Sequence, residues 1–175
     1  MTNSAKPRYL PAGESALVVE FGDTIDPKIH DRVLALDAAI QQANWEGVIE
    51  TVPTYRSLMI HFDPRRLTTE ALADALAGLD YASAPPRTGR QLWRIPACYD
   101  PPQGEDLAEI AALLRLPPAR IVGLHLGARY RVYMYGFAPG YTFLGGLPKE
   151  LTLPRRAVPR APAPAGSLLI AASRR

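Results

Sequence analysis

Between Gly136 and Ala171 the chain carries five glycines, six prolines and three arginines. Proline fixes φ and has no N–H to donate. Pro154, Pro159, Pro162 and Pro164 therefore exclude a helix through this stretch. Tight turns and short extended pieces are what remain. The segment constrains the second half of the chain more than any composition figure does.

The 175 residues admit one medium domain or two small ones. A hydrophobic content of 47% with 21% charged residues is that of a globular chain rather than a disordered one. The apolar runs are too short to span a bilayer. The N-terminus, "MTNSAKPRYL", lacks the apolar core of a secretory signal. A single cysteine, Cys98, excludes an internal disulfide, so a reducing, cytoplasmic setting is expected. With no CxxC partner, Cys98 is expected to be a buried, inert thiol.

Charge divides unevenly. Up to Thr88 there are 8 Lys/Arg against 12 Asp/Glu; from Gly89 onward there are 12 against 5. An acidic first half and a basic second half suggest two modules with different partners. The basic half has its arginines scattered among prolines, with no helical basic stripe. Nucleic-acid binding is not expected.

In the first half, "SALVVEFG" (15–22) reads as a strand. Helix 26–43 follows, with Asp26 as N-cap and Pro27 at the first position. Ile29, Val33, Leu36 and Ile40 form its apolar stripe. "GVIETVPTY" and "SLMIHFDP" are two strands around a tight turn at Thr54–Arg56. Helix 67–79 is capped by Thr68 or Thr69, with Gly78 near its end. One more strand from "RQLWRIPACY" would complete a ferredoxin-like split βαβ arrangement. That strand closes the first module or opens the second. The Pro/Gly-rich "SAPPRTG" (83–89) marks the boundary.

In the second half, 105–116 and 117–127 read as helices, "RYRVYMYGF" (129–137) as a strand and "GSLLIAA" (166–172) as a final strand. Short strands tied by Pro/Gly loops suggest a small barrel. The expected class is α+β, with modules at 1–86 and 87–175.

Several residues are candidates for chemistry. Gly136, Gly140, Gly145 and Gly146 make tight turns of positive φ, or else let the backbone approach a ligand. No GxxxxGK[ST] phosphate loop is present. Arg155, Arg156 and Arg160 offer planar donor forks to a carboxylate or phosphate, held in place by flanking prolines. His125 is a candidate general base, or a structural histidine, and no second histidine or cysteine makes a metal pair with it. His30 and His61 read as peripheral. Tyr130, Tyr133, Tyr135, Phe137, Tyr141 and Phe143 form an aromatic set, for core packing first and pocket lining second. Ser167 lacks a GxSxG elbow. No nucleophile–base–acid arrangement is legible, so the chain is not expected to complete an active site by itself.

"GESALVVEFGD", "VPTYRSLMIHFDP" and, above all, "YRVYMYGFAPGYTFLGGLP" with the spaced PRR, PR and PAGS elements resemble the allophanate hydrolase subunit 1 family, also called the KipI family. The resemblance runs from about Tyr9 to Ala171. It implies a ferredoxin-like N-terminal domain and a cyclophilin-like β-barrel. It further implies a hydrolase role within an ATP-dependent 5-oxoprolinase that opens 5-oxoproline to glutamate. The implied partners are a protein of the allophanate hydrolase subunit 2 type, which is the C component of 5-oxoprolinase, and the lactam-handling A component. ATP belongs to the complex, and no cofactor or metal is assigned to this chain. The residues carried over as substrate- or anion-binding are Gly136, Phe137, Pro139, Gly140, Arg155, Arg156 and Arg160, with His125 as catalytic. Other family roles are inhibition of a sensor histidine kinase and the carboxyltransferase part of a urea carboxylase or allophanate system. After "AGSLLIA" the family pattern continues with Gly-Gln-Thr-Gly-Ile-Tyr-Pro and Pro-Gly-Gly-Trp segments, so the expectation is a C-terminally truncated member with an incomplete barrel.

Overall fold

Alternation of apolar and polar residues builds the central sheet. In β2 (Ala16–Glu20) and β4 (Ser57–Phe62), Leu17, Val19, Leu58, Ile60 and Phe62 point to one face and are buried. They pair across the ladder, Leu17 opposite Ile60 and Val19 opposite Leu58. Cross-strand pairs of this kind are the unit of sheet stability. The computed structural model describes residues 6–81, 91–156, 158 and 163–170.

The sheet has four antiparallel-paired strands in the order β1-β2-β4-β3, with β1 at Arg8–Pro11 and β3 at Val48–Pro53. Because β4 is antiparallel to both neighbours, β2 and β3 run parallel, with β4 between them. Helix α1 (Pro27–Ala43) makes the crossover, and α2 (Thr69–Gly78) follows β4. The Asp26 carboxylate caps α1 by accepting from the Lys28 N–H at 2.6 Å, and the Thr68 hydroxyl caps α2 by accepting from the Ala71 N–H at 3.2 Å. Val33, Leu36 and Ile40 of α1 and Leu72 and Leu76 of α2 close over the sheet. Thr51 of β3 donates to the buried Asp37 at 2.5 Å, which ties α1 to the sheet edge.

The position beside β2 is not filled by "RQLWRIPACY". Residues 91–99 form no strand, and β1 takes that place. The reason is loop closure. β1 is joined to β2 by Ala12–Ser15, a tight connection with Gly13 at φ +73°, whereas 91–99 lies far along the chain. Arg8 of β1 is ion-paired with Glu20 of β2. Prolines at 7 and 11 bracket β1 and hide it from pattern reading.

The chain divides into two compact units. The first comprises Met1–Leu92 with Val132–Gly145, and the second comprises Trp93–Arg131 with Gly146–Arg175. The expected junction at "SAPPRTG" lies outside the described residues. A hairpin, β5 (Arg131–Tyr135) and β6 (Thr142–Gly145), forms a separate two-stranded sheet that belongs mainly to the first unit.

The second unit holds α3 (Leu107–Leu114), α4 (Pro118–Gly127) and a 3₁₀ turn at Lys149–Leu151. Its buried apolar side chains, among the described residues, are Ile121 and Leu151. Residues 166–170 carry no strand, and the described residues form no closed barrel. With no sheet to cover them, Trp93 and Ile95 are exposed. Cys98, on the same extended stretch, is exposed as well, not buried. No helix among the described residues is long and apolar enough to cross a membrane.

Ile60 faces α1 and α2 with no exposure, while Ile49 is 69% exposed. Ile60→Ala is expected to lower stability by about 2–5 kcal/mol. Ile49→Ala is expected to change it by less than about 0.5 kcal/mol. Urea unfolding of both variants checks this, and equal shifts would contradict the placement of the core.

Candidate functional site

The segment "GFAPGY" folds as two successive tight turns at the tip of the β5–β6 hairpin. The Ala138 N–H donates to the Gly136 carbonyl at 2.9 Å, which closes a three-residue γ-turn centred on Phe137. Phe137 has φ +69°, the rare and strained form of that turn. The Tyr141 N–H then donates to the Ala138 carbonyl at 3.0 Å. Pro139 and Gly140, with Gly140 at φ +75°, occupy the positions that a type II turn demands of proline and glycine. A third bond, Gly136 N–H to Tyr141 carbonyl at 3.1 Å, closes the pair of turns.

A non-glycine residue at positive φ costs about 1–2 kcal/mol. Here the strained residue is an aromatic whose side chain is 94% exposed. Neither the strain nor the exposure adds to folding stability. Strain of this kind concentrates at binding and catalytic sites. Behind Phe137 the rings of Tyr141 and Phe143 follow edge to face, at centroid distances of 5.6 and 5.2 Å.

The base of the hairpin is fixed from the N-terminal helix. His30 Nε2 donates to the Tyr133 carbonyl at 2.8 Å, and the two rings lie 4.6 Å apart. Tyr55, from the β3–β4 turn, also packs against Tyr133, with ring centroids 5.0 Å apart. Burial, with Tyr133 and Tyr141 nearby, pushes the Tyr55 hydroxyl above the usual tyrosine range. Gly145 is needed beneath the Tyr133 ring, because a Cβ there would meet Cε2 at 2.5 Å. His30 is thus buried, not peripheral. It lies on the same face of α1 as Val33, three residues on, which is the sequence signal that marks it. His61 is half-buried on β4. Of the six aromatics, Tyr133 is a buried core residue, whereas Tyr135 and Phe137 are exposed.

In the second unit, His125 sits between two tyrosines. The Tyr99 hydroxyl lies 2.5 Å from His125 Nδ1, and the Tyr130 hydroxyl donates to the His125 backbone carbonyl at 3.1 Å. Burial lowers the His125 pKa and raises those of Tyr99 and Tyr130. All three are neutral at physiological pH. Tyr99 also lines a groove of about 780 Å³, together with Pro96, Cys98, Leu107, Pro118 and Val122. Nothing in the spacing of Tyr99 and His125 announces their pairing, which arises when 96–100 packs against α3 and α4.

Arg156 in the same unit is held by α3. Its Nη1 lies 3.1 Å from Asp106 and its Nη2 lies 3.1 Å from Glu109. An incoming anion would compete with both carboxylates for that fork. Arg155 is exposed, and Arg160 lies outside the described residues. The expected site residues therefore fall into two sets. Gly136, Phe137, Pro139 and Gly140 share one turn in the first unit; His125, Arg155 and Arg156 belong to the second. No group of three or more His, Cys, Asp or Glu suited to a metal occurs among the described residues.

The strain at Phe137 is directly measurable. Phe137→Gly is expected to be more stable than Phe137→Ala by about 1 kcal/mol, because glycine adopts positive φ without penalty. Both lose the same exposed ring. Equal unfolding midpoints would show that the turn is not strained.

Comparison with known proteins gives a consistent picture. Residues 7–174 match the family described as carboxyltransferase domain, subdomain C and D. The B component of 5-oxoprolinase from Bacillus subtilis (strain 168) is 34% identical over 175 residues, covering 91% of this chain and 71% of that protein. The B component of 5-oxoprolinase from Haemophilus influenzae is 31% identical over 165 residues, covering 91% of this chain and 73% of that protein. Among solved structures, a crystal structure of TTHA0988 aligns with a TM-score of 0.74 and 35% identity. The alignment covers 86% of this chain and 29% of that one, so the chain spans less than a third of the solved protein.

Proposed function

From the premise that the chain belongs to the carboxyltransferase domain, subdomain C and D, family, we propose that it is one of the subunits of a 5-oxoprolinase complex. The reaction is hydrolytic opening of the 5-oxoproline lactam to glutamate, driven by ATP at the level of the complex. The observation that carries this reading is 34% identity across 91% of the chain to a protein named as the B component of 5-oxoprolinase. The chain acts with an allophanate hydrolase subunit 2-type partner and a lactam-handling partner. The parallel β2 and β3 with β4 between them support a ferredoxin-like reading of the first unit. The cyclophilin-like barrel stands as the reading for the second.

Within this function the Gly136–Tyr141 turn is the binding element. Its backbone is locked by three hydrogen bonds, so an exposed Phe137 is presented at little further entropic cost on association. Aromatic anchors of that kind dominate the energetics of molecular contacts. Pro139 and Gly140 hold the turn, and Gly136 closes it. Arg155 and Arg160 are the guanidinium groups for a carboxylate or phosphorylated species. Arg156, braced by Asp106 and Glu109, is a third guanidinium for such a species. His125 is the titratable group of the second unit's site.

Co-expression with the partner subunits tests the reading. The chain is expected to copurify with them, and the complex to hydrolyse ATP in a manner that depends on 5-oxoproline. Phe137→Ala in that complex is expected to lower kcat/KM by about tenfold, equivalent to about 1.4 kcal/mol. Its unfolding midpoint should stay close to that of the native chain, since the ring is exposed. No copurification and no 5-oxoproline-dependent turnover in the native complex would sink the assignment.

A further inference from the structure

A histidine acts as base or as donor according to which ring nitrogen carries the proton. That choice is made by the partner of the other nitrogen. For His125 the partner is on hand. We propose that Tyr99 is a positioning residue for His125: its hydroxyl donates to Nδ1, fixes the ring proton on Nε2, and makes His125 a neutral hydrogen-bond donor to a carbonyl or phosphoryl oxygen, not a general base. The inference rests, for its functional meaning, on His125 belonging to the working site of the complex.

Four observations carry it. The Tyr99 hydroxyl lies 2.5 Å from Nδ1, a short contact for a phenol and an imidazole. A phenol O–H is the stronger donor of the two groups, and an imidazole nitrogen the stronger acceptor, so the proton sits on the Tyr99 oxygen. The second tyrosine does not compete, because the Tyr130 hydroxyl bonds the His125 backbone carbonyl and its ring lies 5.2 Å from the imidazole. Nε2 has no protein partner among the described residues, so the donor it carries is available to a ligand.

Tyr99 is itself fixed. Its backbone carbonyl would lie 1.9 Å from a Cβ on residue 104, so only glycine fits at Gly104. Its ring lines the groove beside Pro96, Leu107 and Val122. A small molecule seated in that groove meets Tyr99 and, through it, senses the state of His125. Among the described residues, Tyr99 and Tyr130 are the titratable side chains whose rings face the imidazole. Burial moves the histidine down and the tyrosines up, so no ionised partner disturbs the neutral pair. A neutral imidazole donor stabilises charge that develops on an oxygen without first needing protonation.

The tautomer is read by nitrogen NMR on the full chain labelled with ¹⁵N-histidine, with His125→Gln assigning the signal. The expected result near neutral pH is a protonated Nε2 and an unprotonated Nδ1. In Tyr99→Phe both tautomers are expected, and the titration midpoint should rise, because the bond favouring an unprotonated Nδ1 is gone. Tyr130→Phe should keep the native tautomer. A protonated Nδ1 in the native chain overturns the proposal, even if Tyr99→Phe fails to fold. An unchanged tautomer ratio in a folded Tyr99→Phe overturns it equally. In the assembled complex, Tyr99→Phe is expected to lower turnover by about tenfold or more while leaving KM for 5-oxoproline near native. Unchanged turnover with a shifted tautomer overturns the donor role and leaves the complex assignment intact. An inactive native complex counts against the proposed function, and the tautomer result stands apart from it.

Discussion

A single buried contact between distant parts of the chain ties the β5–β6 hairpin to the core of the first unit. His30 and Tyr133 are 103 residues apart, and the imidazole of one donates to the backbone carbonyl of the other. A polar ring is expensive to bury unless its hydrogen bonds are made. Here the bond also has a mechanical role. A two-stranded hairpin alone is marginal in water. β5 and β6 persist because Tyr133 is held by contacts with both His30 of α1 and Tyr55 of the β3–β4 turn, with Gly145 leaving room for its ring.

Strain at the tip is the counterpart of that grip. Phe137 at positive φ is a high-energy residue, and a loose hairpin would relax it. A sequence of contacts connects the core to the display: Leu36 and Val33 bury α1, α1 holds His30, His30 holds Tyr133, and the hairpin then carries the double turn. The second unit is built on another principle. With Ile121 and Leu151 as its buried apolar side chains among the described residues, it has little core to lean on. Local polar constraints take over, namely the Tyr99–His125–Tyr130 cluster and the brace of Arg156 on Asp106 and Glu109. These last pairs are largely exposed, and pairs of that kind add at most about 1 kcal/mol. Their effect is to direct the arginine.

Legibility in the sequence follows the range of the interactions. The Asp26 cap, the Val33-Leu36-Ile40 stripe, the alternation in "SLMIHF" and the Pro139-Gly140 turn are local, and all are readable. β1 is not, because its pairing depends on a short loop and its prolines mask a strand pattern. "RQLWRIPACY" has strand composition, yet pairing needs a partner strand, and none of the described residues provides one. The same absence leaves Cys98 exposed. His30 has a local signal, its place on the apolar face of α1, but histidine is intermediate in its burial preference, so that place alone does not decide it. The pairing of Tyr99 with His125 spans 26 residues and has no local signal at all. Phe137 is legible as part of a motif, but its strain and exposure are properties of the folded turn.

Amide hydrogen exchange in His30→Leu tests most directly whether the contact with Tyr133 holds the display in place. Leucine keeps the apolar bulk on α1 and removes the donor. Amides of β5, β6 and the Gly136–Tyr141 turn are expected to exchange much faster than in the native chain, while Leu58 and Ile60 in β4 keep their protection. Native-like protection throughout the hairpin would contradict a holding role for His30, as would a uniform loss of protection that takes the central sheet with it.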